Sequence, residues 1–101
     1  MTYGLKDKDV DAIKNVFAGF EQIEQAIMYG SRAKGNYKPA SDIDITFKGK
    51  NLNTTIINKV AILLDDLLLP YTFDLSIYHH IENSDLLAHI DRVGKVVYGK
   101  L

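Results

Sequence analysis

The chain of 101 residues has the length of one domain, expected to span residues 1–101, and its lack of cysteine excludes disulfides and thiolate metal sites. Its formal net charge of -1, from 12 basic and 13 acidic side chains, argues against a general nucleic-acid-binding protein, which normally has a basic excess. The N-terminal segment has no apolar signal core and no stretch approaches membrane-spanning length, so we expect a cytoplasmic protein with no membrane association.

Hydrophobic periodicity predicts alternating helices and strands in chain order. Helical spacing predicts a helix within residues 5–20, and the apolar run 26–29 predicts a buried strand. A glycine-bearing connection then opens into a short helix. The remaining predicted elements are a strand at 42–48, a helix at 51–69, a strand at 71–77, a helix at 84–92 and a short edge strand or closing turn at 96–98. This order predicts an α/β or α+β domain with the helices packed on one face of a sheet.

The predicted helix ends carry capping signals. Asn53 or Thr54 is expected to cap the helix at 51–69, and Ser84 the helix at 84–92.

Three aspartates lie on the polar face of the second and third predicted strands. Asp42 and Asp44 are two positions apart, and Asp74 lies on the strand at 71–77. Aspartate is a poor strand former and neighbouring carboxylates repel each other, so this arrangement requires an explanation. One alternative is a set of solvated residues on an open sheet face. The pairing of two acids with a third favours a divalent-cation site, and oxygen ligands favour Mg²⁺ or Mn²⁺.

A glycine and a serine follow the first predicted strand directly. The Gly30 backbone, the Ser31 hydroxyl and nearby cations, among them Arg32, could hold phosphate oxygens. The flanking residues do not match a Walker P-loop, a hydrolase elbow or a calcium loop. An ordinary strand-to-helix turn is the alternative. The aspartates downstream favour the phosphate interpretation, because an anion holder and a metal holder are complementary parts of a nucleotide site.

The three histidines receive a weaker interpretation. His79, His80 and His89 have no partner carboxylate or cysteine at ligand spacing, and we expect surface or loop residues. His79 follows the Asp74 strand and could approach the nucleotide.

The sequence resembles the minimal nucleotidyltransferase (MNT) branch of the DNA polymerase β-like nucleotidyltransferase superfamily. The matching segments are Gly30-Ser31-Arg32-Ala33-Lys34-Gly35, Ser41-Asp42-Ile43-Asp44-Ile45 and Phe73-Asp74-Leu75. The resemblance implies a nucleotidyltransferase fold with a small mixed sheet. It also implies that Asp42 and Asp44 ligate two Mg²⁺ ions, that Gly30 and Ser31 hold the nucleotide phosphates with Arg32 beside them, and that Asp74 completes the metal site.

The resemblance implies a function as well. We expect Mg²⁺-dependent transfer of a nucleoside monophosphate, AMP from ATP, to a hydroxyl of a helical HEPN-type partner, with this chain as the antitoxin. A non-catalytic antitoxin that neutralises its partner by binding is the alternative. Transfer to a small molecule such as an aminoglycoside ranks last, because the sequence offers no acceptor-binding domain. A homodimer could also complete the site.

Overall fold

Helices and strands alternate along the chain in the predicted order. The computed structural model describes residues 3–99. The elements of this range are α1 (Asp7–Ala18), β1 (Gln25–Tyr29), α2 (Gly30–Lys34), β2 (Ile43–Lys48), α3 (Thr54–Asp66), β3 (Phe73–Ile77), a 3-10 turn (Tyr78–His80), α4 (Ser84–Val93) and β4 (Lys95–Gly99). None of these helices combines the length and apolar content that crossing a bilayer requires.

The four strands form one mixed sheet in the order β3-β2-β1-β4. The β1 strand pairs antiparallel with β2 and with β4, whereas β2 and β3 pair in parallel. The parallel pair needs a crossover connection, which α3 supplies. This arrangement confirms the predicted mixed sheet, and it makes β3 and β4 the edge strands.

The main hydrophobic core lies between one face of the sheet and the helices α1 and α3. Alternate side chains of β1 and β2, such as Met28 and Ile45, point into this core. Phe17 of α1 meets Phe47 of β2 in an edge-to-face contact with ring centroids 5.1 Å apart. The alternation predicted for the strand at 42–48 therefore reflects a face that is fully covered.

The second face of the sheet is covered in part by α4, and here the structure differs from the prediction. Ile27 and Tyr29 of β1 form a smaller apolar cluster with Ile90 of α4. The prediction that all helices pack on one face is therefore wrong. The amphipathic pattern of α4 indicates that one side of the helix is buried, but it does not indicate which face of the sheet buries it.

The helix ends are fixed by asparagine side chains. Asn53 caps α3 as predicted, its side-chain oxygen accepting from the Ile56 backbone N–H at 2.9 Å. At α4 the cap is Asn83, whose side-chain oxygen accepts two backbone N–H groups of the first turn. The prediction of Ser84 as the cap is wrong by one position, because Ser84 is already helical.

Candidate active site

The parallel pairing of β2 and β3 places Asp44 directly beside Asp74 in register. Residues paired in this way project to the same face from strands about 4.8 Å apart. On its other side Asp44 pairs with Tyr29, the last residue of β1. The Tyr29–Asp44–Asp74 row therefore crosses three strands, at the end of the sheet where β1 stops and β2 and β3 begin.

The carboxylates of this row repel one another. The pKa of Asp44 is raised above its ordinary value, first by burial and then by the negative charges of Asp74 and Asp42, while His89 acts in the opposite direction. Burial also raises the pKa of the Tyr29 hydroxyl, and the negative charges of Asp74 and Asp44 add to this effect. The row is thus an electronegative site in which a cation would relieve the repulsion.

Two of the three aspartates are open to solvent. Asp42 lies immediately before β2 and is exposed, and Asp74 is exposed on the edge strand β3. Asp44, on the interior strand, is half-buried. The site is therefore a surface of the domain that a large molecule can approach.

Gly30 brings the backbone against this carboxylate row. Its φ of +76° lies in the left-handed region that favours glycine, and a Cβ atom at this position would collide with the carboxylate of Asp44. Gly30 is also the first residue of α2. The glycine–serine motif and the aspartate motif therefore lie next to each other in the fold, although Gly30 and Asp44 are fourteen positions apart in the sequence.

Ser31 follows as the second residue of α2 and is half-buried. Its backbone carbonyl accepts from the N–H groups of Gly35 and Asn36, which closes the short helix. Within residues 3–99 its hydroxyl forms no hydrogen bond with another side chain or backbone group. The hydroxyl is therefore free to contact a ligand.

Arg32 has a different environment from the predicted one. Its side chain is only 2% exposed, and its guanidinium donates to the backbone carbonyls of Ser41, Pro39 and Tyr3 at 2.9–3.3 Å. The rings of two tyrosines, Tyr37 and Tyr71, lie 5.3 and 5.5 Å from the guanidinium carbon. This geometry does not support the predicted phosphate contact, because the donors are already used to fix the loop that leads to Asp42. It also gives Tyr37 a packing role beside this guanidinium.

His89 is a site residue that the sequence interpretation missed. It is half-buried on α4, and its Nε2 accepts the backbone N–H of Gly30 at 3.2 Å. Its ring also meets the Tyr29 ring edge-on, with centroids 6.2 Å apart. The available signal was helical spacing, since His89 lies three residues after Leu86 and four before Val93, on the apolar side of the helix.

His79 lies at the other end of the sheet. Together with Gln25, Lys48 and His80 it lines an open cavity of about 630 Å³. This cavity lies where β1 begins and where β2 and β3 end. The length of β3 separates this cavity from Asp74. His79 therefore follows the end of β3 opposite to the end that carries Asp74, and its approach to a nucleotide stays a prediction.

The side chains at the carboxylate row have the chemistry of a hard-cation site. Asp42, Asp44 and Asp74 offer only oxygen donors, and in the described part of the chain no lysine or arginine forms an ion pair with them. These three carboxylates are not close enough together to form a preorganised metal site. Within residues 3–99, no group of three or more Asp, Glu, His or Cys side chains is placed to hold a metal ion. The donor set fits Mg²⁺, and the predicted two-ion site stays a prediction.

Comparison with known proteins identifies relatives of this fold. A family model described as "Polymerase beta, Nucleotidyltransferase" matches residues 11–100. No curated protein sequence matches the chain.

Solved structures share the fold at low sequence identity. A toxin–antitoxin complex with AMP-PNP aligns with a TM-score of 0.71 and 20% identity, over 95% of this chain and 75% of that chain. A tri-AMPylated Shewanella oneidensis HEPN toxin in complex with an MNT antitoxin aligns with a TM-score of 0.69 and 17% identity, over 95% and 74%. A putative nucleotidyltransferase from Sulfolobus solfataricus gives 0.50 and 22%, over 86% and 73%. These similarities confirm the predicted fold.

Proposed function

Because the chain belongs to the polymerase β-type nucleotidyltransferase family, we propose that it transfers AMP from ATP to a hydroxyl group of a partner protein. The observation that carries the proposal is the register of Asp44 with Asp74, directly against the Gly30 backbone. An acidic pair beside an anion-binding turn is what a nucleoside triphosphate with its cations requires.

The proposed roles follow from this placement. Gly30 and Ser31 hold the β- and γ-phosphates, and the three aspartates of the site, Asp42, Asp44 and Asp74, hold two Mg²⁺ ions, for which Mn²⁺ can substitute. When bound, the ions neutralise phosphate charge and make the acceptor hydroxyl more acidic. The acceptor oxygen forms a bond to the α-phosphorus, the bond from the α-phosphorus to the bridging oxygen breaks, pyrophosphate leaves, and Asp74 takes the acceptor proton.

A protein is the acceptor that the open surface suits best. Asp74 is exposed on an edge strand, so a partner can reach the carboxylate row from solvent. Among the structures that share the fold are a toxin–antitoxin complex with AMP-PNP and a tri-AMPylated HEPN toxin in complex with an MNT antitoxin. We therefore propose a helical HEPN-type partner, with this chain as its antitoxin.

Label transfer tests the proposal directly. The chain is incubated with Mg²⁺, ATP labelled at the α-phosphate, and its proposed HEPN-type partner protein, and the intact mass of that partner is measured. Wild type is expected to add AMP, whereas Asp44→Asn and Asp74→Asn lower the rate by about 100-fold or more. Asp66→Asn, an exposed acid on α3, is the matched control and keeps the wild-type rate. An unmodified partner with wild type contradicts the proposal.

A non-catalytic antitoxin is the second candidate, and one observation favours it. The carboxylates are not gathered into a ready-made cluster in the described range 3–99. In this case the chain neutralises its partner by occupying it. Coexpression with the toxin separates the two candidates: an Asp42→Asn/Asp44→Asn double variant that still neutralises fully supports binding, and loss of neutralisation supports transfer.

A further inference from the structure

The Gly30 backbone amide, which the proposed function assigns to a nucleotide phosphate, already has a partner within the fold. Its N–H donates to Nε2 of His89, 59 positions away in the sequence. This contact connects α2 with α4 on the second face of the sheet. A single backbone N–H makes one good hydrogen bond, so the imidazole and a phosphate oxygen compete for it.

We infer that His89 is a residue of the nucleotide site, which holds the Gly30 amide in the free protein and releases it to a phosphate oxygen when the nucleotide binds. The inference rests on the proposed function, since it requires a nucleotide at Gly30. It deepens that function by adding a residue on α4 to a site otherwise built from α2, β2 and β3.

The position of the His89 ring is fixed by packing. One side of the ring meets Tyr29, and the next residue along α4, Ile90, is only 2% exposed against β1. A ring held in this way meets the Gly30 amide without first ordering a flexible chain. The hydrogen bond is therefore part of the free protein's architecture, and nucleotide binding has to replace it.

The protonation pattern of this contact determines the direction of the effect. Because Nε2 accepts from Gly30, it carries no proton and presents a lone pair toward the amide. A phosphate oxygen at the same amide meets that lone pair and is repelled by it. Removing the acceptor nitrogen removes both the competing hydrogen bond and the repulsion, so the nucleotide is expected to bind more tightly.

Substitutions that differ only in the acceptor test the affinity. His89→Phe keeps a ring against Tyr29 but cannot accept, whereas His89→Gln places an amide oxygen near the position of Nε2. Calorimetry with AMP-PNP and Mg²⁺ is expected to show binding about 3- to 10-fold tighter for His89→Phe than for wild type, the equivalent of one net hydrogen bond. His89→Gln is expected to bind like wild type. His80→Phe, at the other end of the sheet, is the matched control.

A measurement on the unaltered protein does not depend on how the variants fold. The nitrogen–nitrogen scalar coupling across the hydrogen bond, between the Gly30 amide and His89 Nε2, is expected in the free protein and lost at saturating AMP-PNP. Coupling that persists in the complex overturns the inference, and so does an equal or weaker affinity of His89→Phe.

The inference and the function beneath it fail in different ways. If AMP-PNP binds wild type and His89→Phe equally well, only the role of His89 is excluded. If neither protein binds AMP-PNP, the nucleotide site itself is excluded, and this inference with it.

Discussion

Asp44 lies in an environment of the candidate site that disfavours a charged carboxylate. It is half-buried, and its carboxylate faces the charges of Asp74 and Asp42. Its pKa is therefore raised in the folded protein above the ordinary value of 3.8. An acid with a raised folded pKa binds more protons when folded than when unfolded, so the free energy of unfolding falls as the pH rises through this range.

Replacing the Asp44 carboxylate with an amide tests whether its charge lowers the stability of the folded protein. Asp44→Asn is expected to raise the thermal unfolding midpoint at about pH 7.5 in the absence of divalent ions, because the amide removes the charge repulsion. The advantage should shrink toward about pH 4, because the raised pKa lets the folded wild-type carboxyl take up its proton first and lose its charge. Thermal unfolding at both pH values measures this, with Glu82→Gln, an exposed acid outside the site, as the control. A midpoint at neutral pH that is equal or lower contradicts the electrostatic account.

Individual residues differ in how far their surroundings could be predicted. The shared face of Asp44 and Asp74 followed from strict alternation, because a strand side chain has only two directions. The environments of Arg32 and His89 did not follow, because each depends on groups that are distant in sequence or on backbone carbonyls. A cation beside a glycine–serine turn is equally compatible with phosphate and with a buried set of carbonyls.

At the scale of elements, α2 is bound to the loop that precedes β2 by the Arg32 guanidinium. Three backbone carbonyls accept from it, and two of them, at Pro39 and Ser41, belong to the loop. This loop ends at Asp42, so Arg32 sets the position of one acid of the site from the glycine–serine segment. Arg32 is thus a positioning residue in this fold.

The loss of this connection is expected to lower stability rather than to remove a phosphate contact. Arg32→Met leaves the carbonyls without donors inside the protein, and we expect the free energy of unfolding to fall by about 3 kcal/mol. Arg32→Lys keeps the charge without the planar fork and should lie between the two. Urea unfolding measures the change, and Arg92→Met, at an exposed position on α4, is the control. Unchanged stability together with lost AMP-PNP binding would restore the phosphate role.

The placement of α4 shows what an amphipathic pattern leaves open. The pattern predicted the existence and bounds of the helix closely, residues 84–92 against the observed Ser84–Val93. It could not assign the helix to the second face of the sheet, since burial against either face produces the same spacing. The consequence is functional, because this helix carries His89 to Gly30.

For the whole molecule, the site lies where three strand ends meet on a partly covered face. The end of β1 and the starts of β2 and β3 bring the glycine turn and two aspartates together. Order and type of elements predicted this convergence once β2 and β3 were taken as neighbours, and the parallel pairing supplied the register. The proposed transfer reaction therefore depends on cation binding at this end of the sheet.

Anomalous diffraction can locate a cation bound at Asp44 and Asp74. Crystals of the chain grown with Mn²⁺ and AMP-PNP are expected to show manganese peaks in contact with Asp44 and Asp74, with the nucleotide phosphates against Gly30 and Ser31. Crystals with bound AMP-PNP away from Gly30, or with manganese absent from both carboxylates, would contradict the proposed function.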